Sequence, residues 1–167
     1  ESIIIMKIPF VDLKAQYHSI KNDIDTAIQN VISETAFIKG KYVQTFEQDY
    51  ADSYGVTHCI SCANGTDAIY ITLKALGIGQ GDEVITVANT WISTSETISQ
   101  TGAKPVFVDI HPDYYTIDVS KIEEKITAKT KAIIPVHLFG QPAEMNVIKD
   151  LCERHNLFLV EDCAQAH

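Results

Sequence analysis

The chain has 167 residues, of which 46% are hydrophobic and 21% are charged, proportions typical of one soluble globular domain. Its formal net charge of −9 disfavours nucleic acid or an anionic membrane surface as the main partner, because both are polyanionic. No apolar run approaches the roughly 20 residues that a bilayer requires. The N-terminal ESIIIM is too short for a signal peptide and lacks its basic flank, so the four cysteines predict reduced thiols in a cytoplasmic protein.

The first part of the chain has the periodicity of helices. Apolar residues recur on one face from Ile20 to Ile32, and a further helix is predicted from Tyr42 to Tyr54, ending at Gly55. We assign residues 1–40 to an N-terminal segment and helix, and residues 41–167 to a large domain.

From His58 onward, short apolar runs alternate with helical stretches. The predicted strands are HCISCA, VITVA, KPVFVDI, AIIPVHLF and LFLVED, separated by the predicted helices TDAIYITLKAL, ISTSETISQT, VSKIEEKI and AEMNVIKDLCERH. Strands that are apolar on both faces predict an α/β fold with a mostly parallel sheet covered by helices on both faces. Ligands of such sheets bind beyond the carboxyl ends of the strands, so the residues that follow each strand are the candidates for function.

CANGTDA, residues 62–68, lies where the first predicted strand turns into a helix. Asn64 and Gly65 permit an unusual backbone at the turn, and Thr66 can cap the helix. Free N–H groups at a helix start favour an anion, most often phosphate. A plain capping turn explains the same residues equally well.

Trp91 is the only tryptophan, and it follows VITVA at the same presumed edge of the sheet. A flat indole there could stack on a flat ligand, although a partly buried packing tryptophan is the simpler interpretation of this residue taken alone. His137, at the end of AIIPVHLFG, is interpreted as a core histidine with its hydrogen bonds satisfied.

VEDCAQAH, residues 160–167, ends an apolar strand with two carboxylates. A buried carboxylate without a partner costs roughly several kcal/mol, so Asp162 predicts a cationic partner such as a protonated pyridine nitrogen. A helix cap formed by Asp162 is the competing interpretation. Glu161 should point the opposite way, because neighbouring strand residues alternate. Gln165 offers an amide donor for a phenolate or carbonyl oxygen.

Two glycine and cysteine patterns imitate known sites. GIGQGD, residues 77–82, follows a helix and precedes a strand, the reverse of a dinucleotide-binding turn, and therefore predicts a helix C-cap and loop. CISC, residues 59–62, lacks the second cysteine pair of a zinc site, since Cys152 and Cys163 are too far apart in sequence. We predict no metal site.

Taken together, six segments resemble the DegT/DnrJ/EryC1/StrS family of pyridoxal 5'-phosphate (PLP) dependent sugar aminotransferases: IPFVDLKAQY, CANGTDAI, GDEVITVANTWISTSETI, GAKPVFVDI, TKAIIPVHLFGQPAEM and VEDCAQAH. The resemblance runs from about Ile8 to His167 in the same order. It implies the large domain of a fold-type I aminotransferase, in a homodimer with active sites at the subunit interface. It also implies transfer of an amino group from glutamate to a keto group of a nucleotide-linked deoxysugar, with 3-keto favoured over 4-keto.

The resemblance also implies which residues hold PLP: Gly65, Thr66, Asp67, Trp91, Asp162 and Gln165. The first three would bind the phosphate, largely through backbone N–H groups and the Thr66 hydroxyl. Trp91 would stack on the pyridine ring, and Gln165 would bind the ring hydroxyl. Asp162 would pair with the ring nitrogen and keep it protonated, which makes the ring an electron sink.

In this family the Schiff-base lysine lies beyond EDCAQAH in an S-F-x-x-x-K-type motif. The sequence stops before it, so we expect an N-terminal portion of a longer protein, without the catalytic-lysine region and the small C-terminal domain, and aminotransferase activity is conditional on that lysine. A dehydratase with histidine in its place and a non-catalytic regulatory member are alternatives within the family.

Two alternatives lie outside the family. A nucleotide-binding Rossmann domain would need the G-x-G-x-x-G turn that CANGTDA lacks. A structural α/β module without a ligand would bring Asp162, Trp91 and the Gly65 turn to one sheet edge by accident.

Overall fold

The structure is a computed structural model that describes residues 9–167. The ESIIIM segment and the start of the predicted 1–40 segment lie outside the described residues. The described chain forms two compact units, one up to Ser61 and one over Cys62–His167. The predicted division between residues 40 and 41 falls inside the first of these units.

The first unit is helical. Its helices are α1 (Leu13–Ser19), α2 (Lys21–Ser33) and α3 (Lys41–Tyr54). The helices expected around Ile20–Ile32 and Tyr42–Tyr54 are confirmed as α2 and α3. Helix α3 ends as predicted at Gly55, whose φ of 63° is left-handed and therefore suits glycine.

The predicted strand HCISCA is wrong. Residues 58–63 have no strand assignment and pair with no strand in the described part of the chain. Ile60 is 82% exposed, and the Ser61 N–H donates to a Glu47 carboxylate oxygen at 2.8 Å instead of to a neighbouring strand. Apolar content alone does not make a strand, because the backbone groups need a partner.

The second unit alternates helices and strands. Its elements are α4 (Gly65–Ala75), β1 (Glu83–Val87), α5 (Ser93–Gln100), β2 (Lys104–Val108), β3 (Thr130–Ile134), α6 (Met145–His155) and β4 (Phe158–Leu159). All strand pairs are parallel, in the order β2-β1-β3-β4. The predicted α/β fold with a parallel sheet is confirmed, and the strands VITVA, KPVFVDI, AIIPVHLF and LFLVED correspond to β1–β4.

The stretch VSKIEEKI is not the predicted α-helix. It forms two 3₁₀ turns, Val119–Lys121 and Glu123–Lys125. The Asp118 side chain accepts from the Ser120 N–H at 3.1 Å, and the following N–H groups bond to carbonyls three residues back. Short segments rarely recover the cost of helix nucleation, which favours these isolated turns.

Both faces of the sheet are buried, which explains the continuous apolar runs of the strands. One face packs Ile85, Val87 and Ile133 against residues of α6, and the other packs Val84, Ala132 and Ile134 against residues of α4 and α5. Each fully buried aliphatic side chain contributes about 1.5–3 kcal/mol of transfer free energy. The sheet is therefore a stiff platform for the residues at its edges.

The loop GIGQGD behaves as predicted. Gly77 follows α4 with a φ of 74°, and the Ile78 N–H bonds to the Leu73 carbonyl at 3.0 Å, a C-capping arrangement. Within residues 9–167, no helix combines the length and apolar character that spanning a bilayer demands.

Candidate functional site

A pocket of about 330 Å³ lies at the carboxyl edge of the sheet, inside the second unit. Its lining residues come from the starts of α4 and α5 and from the segment after β4: Gly65, Thr66, Ile69, Trp91, Ser93, Asp162, Ala164 and Gln165. The structure thus brings together all the predicted site residues except Asp67. They converge because parallel strands end at one edge and helices begin there.

The start of α4 presents free backbone donors to this pocket. The N-cap is Asn64 and not Thr66, and its side-chain oxygen accepts from the Asp67 N–H at 2.9 Å. The Asn64 amide also donates to the Asp67 carboxylate at 3.1 Å, so Asp67 is engaged in the cap. The N–H groups of Gly65 and Thr66 are left for a ligand, since the first helical N–H groups have no partner in their own helix.

Gly65 borders open space on the side where a side chain would project. A Cβ added to Gly65 would meet no heavy atom within 4 Å. Gly65 and Thr66 both line the pocket, so their two N–H groups and the positive end of the helix dipole lie at its wall, an arrangement suited to phosphate.

A pair of hydroxyls extends this anion-binding corner. The Thr66 and Ser93 hydroxyl oxygens are 2.8 Å apart, and they connect the starts of α4 and α5. One hydroxyl proton forms that bond and the other remains available as a donor. Ser93 was not predicted from the sequence. It is a hydroxyl residue at the start of a helix that follows a strand, the same pattern that pointed to Thr66.

Trp91 lies between β1 and α5 and is 77% exposed. The indole is therefore not packed within the described chain, contrary to the interpretation as a partly buried packing residue. The indole instead offers a flat apolar surface beside the pocket, available for stacking.

The backbone of Asp162 is fixed to the sheet. Val136 and Asp162 form a parallel bridge, in which the Asp162 N–H donates to the Pro135 carbonyl at 3.0 Å and its carbonyl accepts from the His137 N–H at 3.1 Å. The carboxylate accepts from the Thr94 hydroxyl at 2.9 Å and from the Ala164 N–H at 3.2 Å. Asp162 therefore caps a turn and not a helix, and both of these donors are uncharged.

Glu161 points away from Asp162, as alternation predicts. Its carboxylate lies 2.9 Å from Nε2 of His137, which is 5% exposed. His137 Nδ1 accepts from the Ala143 N–H at 3.2 Å, so in the neutral ring Nε2 carries the proton and donates to Glu161. The prediction of a satisfied core histidine is confirmed.

Cys163 completes a group with His137 and Glu161, whose potential ligand atoms all lie within 4.8 Å of one another. This chemistry does not favour a metal ion, because Nε2 is protonated while Nδ1 accepts a hydrogen bond. Burial, followed by the charges of Glu161 and Asp162, raises the pKa of the Cys163 thiol, which disfavours the thiolate that a metal requires.

Gln165 is oriented by the loop after β3. Its side-chain oxygen accepts from the Phe139 N–H at 2.8 Å, which leaves its NH₂ group as the free donor. Phe139 has a φ of 56°, a left-handed conformation that is strained for an aromatic residue, and it is 82% exposed.

The pocket thus combines N–H and hydroxyl donors for an anion, an exposed indole, a carboxylate and an amide donor. Such a site, on a parallel α/β sheet, suits a flat phosphorylated ligand with a basic ring nitrogen. PLP has these features, so the residues present fit that cofactor.

The comparisons with known proteins agree with this class. The sequence model described as the DegT/DnrJ/EryC1/StrS aminotransferase family matches residues 18–167. The chain belongs to that family, as the resemblance predicted, and the family implies PLP.

Two curated relatives illustrate the range of names in this family. A "Pleiotropic regulatory protein" of Geobacillus stearothermophilus is 48% identical over 96% of this chain and 43% of its own length. A "UDP-2-acetamido-2-deoxy-3-oxo-D-glucuronate aminotransferase" of Pseudomonas aeruginosa is 47% identical over 95% of this chain and 44% of its own length. The chain therefore spans less than half the length of these curated relatives.

Solved structures show the same fold. S. venezuelae DesV superimposes with a TM-score of 0.94 at 41% identity, covering 96% of this chain and 43% of DesV. The ntda protein of Bacillus subtilis, solved with bound cofactor PMP, gives a TM-score of 0.92 at 37% identity, covering 97% of this chain and 38% of ntda.

Proposed function

We propose that the protein containing this chain is a PLP-dependent aminotransferase that moves an amino group from glutamate to the 3-keto group of a nucleotide-linked deoxysugar. One observation carries the proposal. Backbone donors, an exposed indole, a carboxylate and an amide donor converge in a single pocket, and each matches one part of PLP.

The phosphate end is assigned to the start of α4. The N–H groups of Gly65 and Thr66 would donate to phosphate oxygens, together with the hydroxyl pair of Thr66 and Ser93. Asp67 would act through the cap it shares with Asn64, because its own N–H is already bonded. Its carboxylate is held in that cap by the Asn64 amide.

The ring end is assigned to three side chains. Trp91 would lie against the ring, and the Gln165 NH₂ group would donate to the ring hydroxyl. Asp162 would hold a proton at the ring nitrogen, which is the only cationic part of the ligand. When bound, PLP supplies an electron sink for the amino-transfer chemistry, and the protein's contribution is to keep that nitrogen protonated.

The acceptor is proposed from the names of relatives and from the resemblance. The Pseudomonas relative is named for a 3-oxo sugar linked to UDP. Glutamate as donor follows from the family resemblance. We also propose a homodimer with the pocket at the interface, supported by the exposure of Trp91 and Phe139 at 77% and 82%, apolar surface that a second subunit could cover.

The test uses the complete natural polypeptide, purified with PLP. Its visible absorbance band should disappear on addition of glutamate and return on addition of a nucleotide-linked 3-keto sugar. A matched 4-keto sugar should restore the band more slowly, and exclusive use of the 4-keto sugar would overturn the regiochemical part. A protein that retains no PLP would overturn the whole proposal.

A second candidate, a regulatory family member without catalysis, is favoured by the name of the Geobacillus relative. The residue at the position of the family lysine distinguishes these functions. Lysine there together with a glutamate-dependent spectral change supports the aminotransferase, and PLP binding with neither lysine nor histidine there supports a regulatory role. Histidine there would instead support the dehydratase alternative.

A further inference from the structure

We infer that Thr94 is a positioning residue for Asp162: its hydroxyl fixes the carboxylate in the orientation and ionised form that a protonated ring nitrogen needs. This inference rests on the proposed function and deepens it. Thr94 itself does not line the pocket and lies directly behind Asp162.

The Thr94 hydroxyl makes a long-range bond, unlike the hydroxyl of Thr97 in the same helix. It lies in the first turn of α5 and is 0% exposed. A threonine hydroxyl inside a helix normally bonds to a carbonyl three or four residues back. Thr97 on the same helix does this, since its hydroxyl donates to the Ser93 carbonyl at 2.8 Å. The Thr94 hydroxyl instead reaches Asp162, 68 residues away in sequence, at 2.9 Å.

The direction of this bond is fixed by chemistry. An ionised carboxylate only accepts hydrogen bonds, so the Thr94 proton points to Asp162. The Thr90 hydroxyl lies 3.4 Å from that of Thr94, and it must be the donor in that contact because the Thr94 proton is already used. The hydroxyls of Thr90 and Thr94 thus form a short hydrogen-bonded chain that ends on the Asp162 carboxylate.

Asp162 is held on both oxygens. Oδ2 accepts from Thr94, and Oδ1 accepts from the Ala164 N–H at 3.2 Å. One bond would leave the carboxylate free to rotate about its Cβ–Cγ axis, whereas two bonds to different oxygens fix its plane. The remaining lone pairs then have a defined direction.

A hydrogen-bond donor at the carboxylate also acts on a proton that the carboxylate would share with a ligand. A hydrogen bond donated to a charged form stabilises that form, and bonds to charged groups are the stronger ones. When Asp162 and a ring nitrogen share one proton, stabilising the carboxylate keeps the proton on the nitrogen. Removing the Thr94 hydroxyl should move the proton toward the carboxylate, and the loss of orientation acts in the same direction.

The start of α5 therefore serves both ends of the pocket. The hydroxyl of Ser93 meets Thr66 at the anion corner, and that of Thr94 meets Asp162. The next hydroxyl, of Ser95, bonds to the Ile92 carbonyl at 3.2 Å and serves neither end.

The experiment loads the complete natural polypeptide with PLP that carries ¹⁵N in its ring, and measures the ¹⁵N chemical shift at one neutral pH. Thr94→Val removes the hydroxyl and keeps the shape. Its ratio of protonated to unprotonated ring nitrogen should fall roughly tenfold, about 1.4 kcal/mol. Thr94→Ser keeps the hydroxyl and should retain the wild-type signal. Thr97→Val removes an equally buried hydroxyl from the same helix and should leave the signal unchanged.

The outcomes separate this inference from the proposed function. An unprotonated ring nitrogen in the wild type, or no bound PLP, overturns the proposed function and this inference with it. A protonated nitrogen in the wild type that is unchanged in Thr94→Val overturns the role of Thr94 alone, as does an equal loss in Thr94→Ser. Thr94→Ala is a second hydroxyl-free variant, with the same expected loss, in case Thr94→Val does not fold.

Discussion

The two edges of the sheet both contain carboxylates, but they neutralise them differently. At the amino edge, Glu83 accepts from the Thr127 hydroxyl at 2.7 Å and pairs with the Lys104 ammonium at 3.3 Å. The Thr127 bond first, and then Lys104, lower the pKa of Glu83. At the carboxyl edge, Asp162 accepts only from Thr94 and Ala164 among the described hydrogen bonds, and both donors are uncharged.

This difference indicates which edge binds a ligand. A carboxylate already paired with a lysine has no need of an external cation, and it serves to join neighbouring elements. A half-buried carboxylate that accepts hydrogen bonds from neutral donors is oriented, but its charge is not neutralised. A cationic group of a ligand can therefore pair with it.

Asp162→Asn should leave the fold intact and lower aminotransfer more than tenfold, above about 1.4 kcal/mol of barrier. An amide cannot keep the ring nitrogen protonated as a carboxylate does. Turnover of the complete protein, with circular dichroism to confirm folding, gives the measurement. The matched control is Glu161→Gln, which changes the adjacent acid that bonds to His137 and should retain most activity. Wild-type turnover in folded Asp162→Asn would show that the carboxylate is not needed to keep the ring nitrogen protonated.

Trp91→Ala should weaken PLP binding about fivefold, since stacking contributes on the order of 1 kcal/mol. Folding stability should change little because the indole is 77% exposed. Titration of the cofactor-free protein with PLP, beside a thermal melt, measures both quantities. Trp91→Phe keeps a flat ring and should recover part of the affinity. Loss of stability with unchanged PLP affinity would make Trp91 a core residue.

Glu83→Gln should lower the free energy of unfolding slightly and leave PLP affinity unchanged. The substitution removes the charge that pairs with Lys104 at the edge opposite the pocket. Urea unfolding and PLP titration of the same variant give the two values. A fall in PLP affinity as large as that of Trp91→Ala would contradict the assignment of ligand binding to the carboxyl edge alone.

A second acid at the amino edge, Glu123, should make folding stability slightly dependent on pH. Its bonds with Arg154 and then His155 lower its pKa from 4.5 to about 2. A lowered folded-state pKa means that the stabilisation is present above about pH 4.5 and is lost as the pH falls toward about 2. The effect is small because the side chain is 53% exposed.

Urea unfolding between pH 6 and the acid limit of folding checks this expectation. The free energy of unfolding of Glu123→Gln should fall less steeply with decreasing pH than that of the wild type. Glu124→Gln removes a neighbouring exposed acid, whose ion pair among residues 9–167 is with Lys125, and it serves as the control. Equal slopes in the wild type and Glu123→Gln would show that the cluster does not contribute.

The sequence predicted what depends on local pattern and missed what depends on distant contacts. The strands β1–β3 and the turn at Gly77 follow from apolar runs and glycine chemistry, and Glu161 and Asp162 diverge because strand residues alternate. HCISCA has a similar apolar run but no partner strand among residues 9–167, and whether a partner strand exists depends on the tertiary structure. The bond from Thr94 to Asp162 crosses 68 residues, so no local pattern could show it.

If Asp162 at the carboxyl edge pairs with a cationic ring nitrogen while the start of α4 binds a phosphate, a crystal structure of the complete natural polypeptide with PLP should show both contacts. We predict the ring nitrogen at about 2.7–3.2 Å from an Asp162 carboxylate oxygen, with the phosphate at the N–H groups of Gly65 and Thr66. PLP bound elsewhere, or with its ring nitrogen turned away from Asp162, would contradict the account.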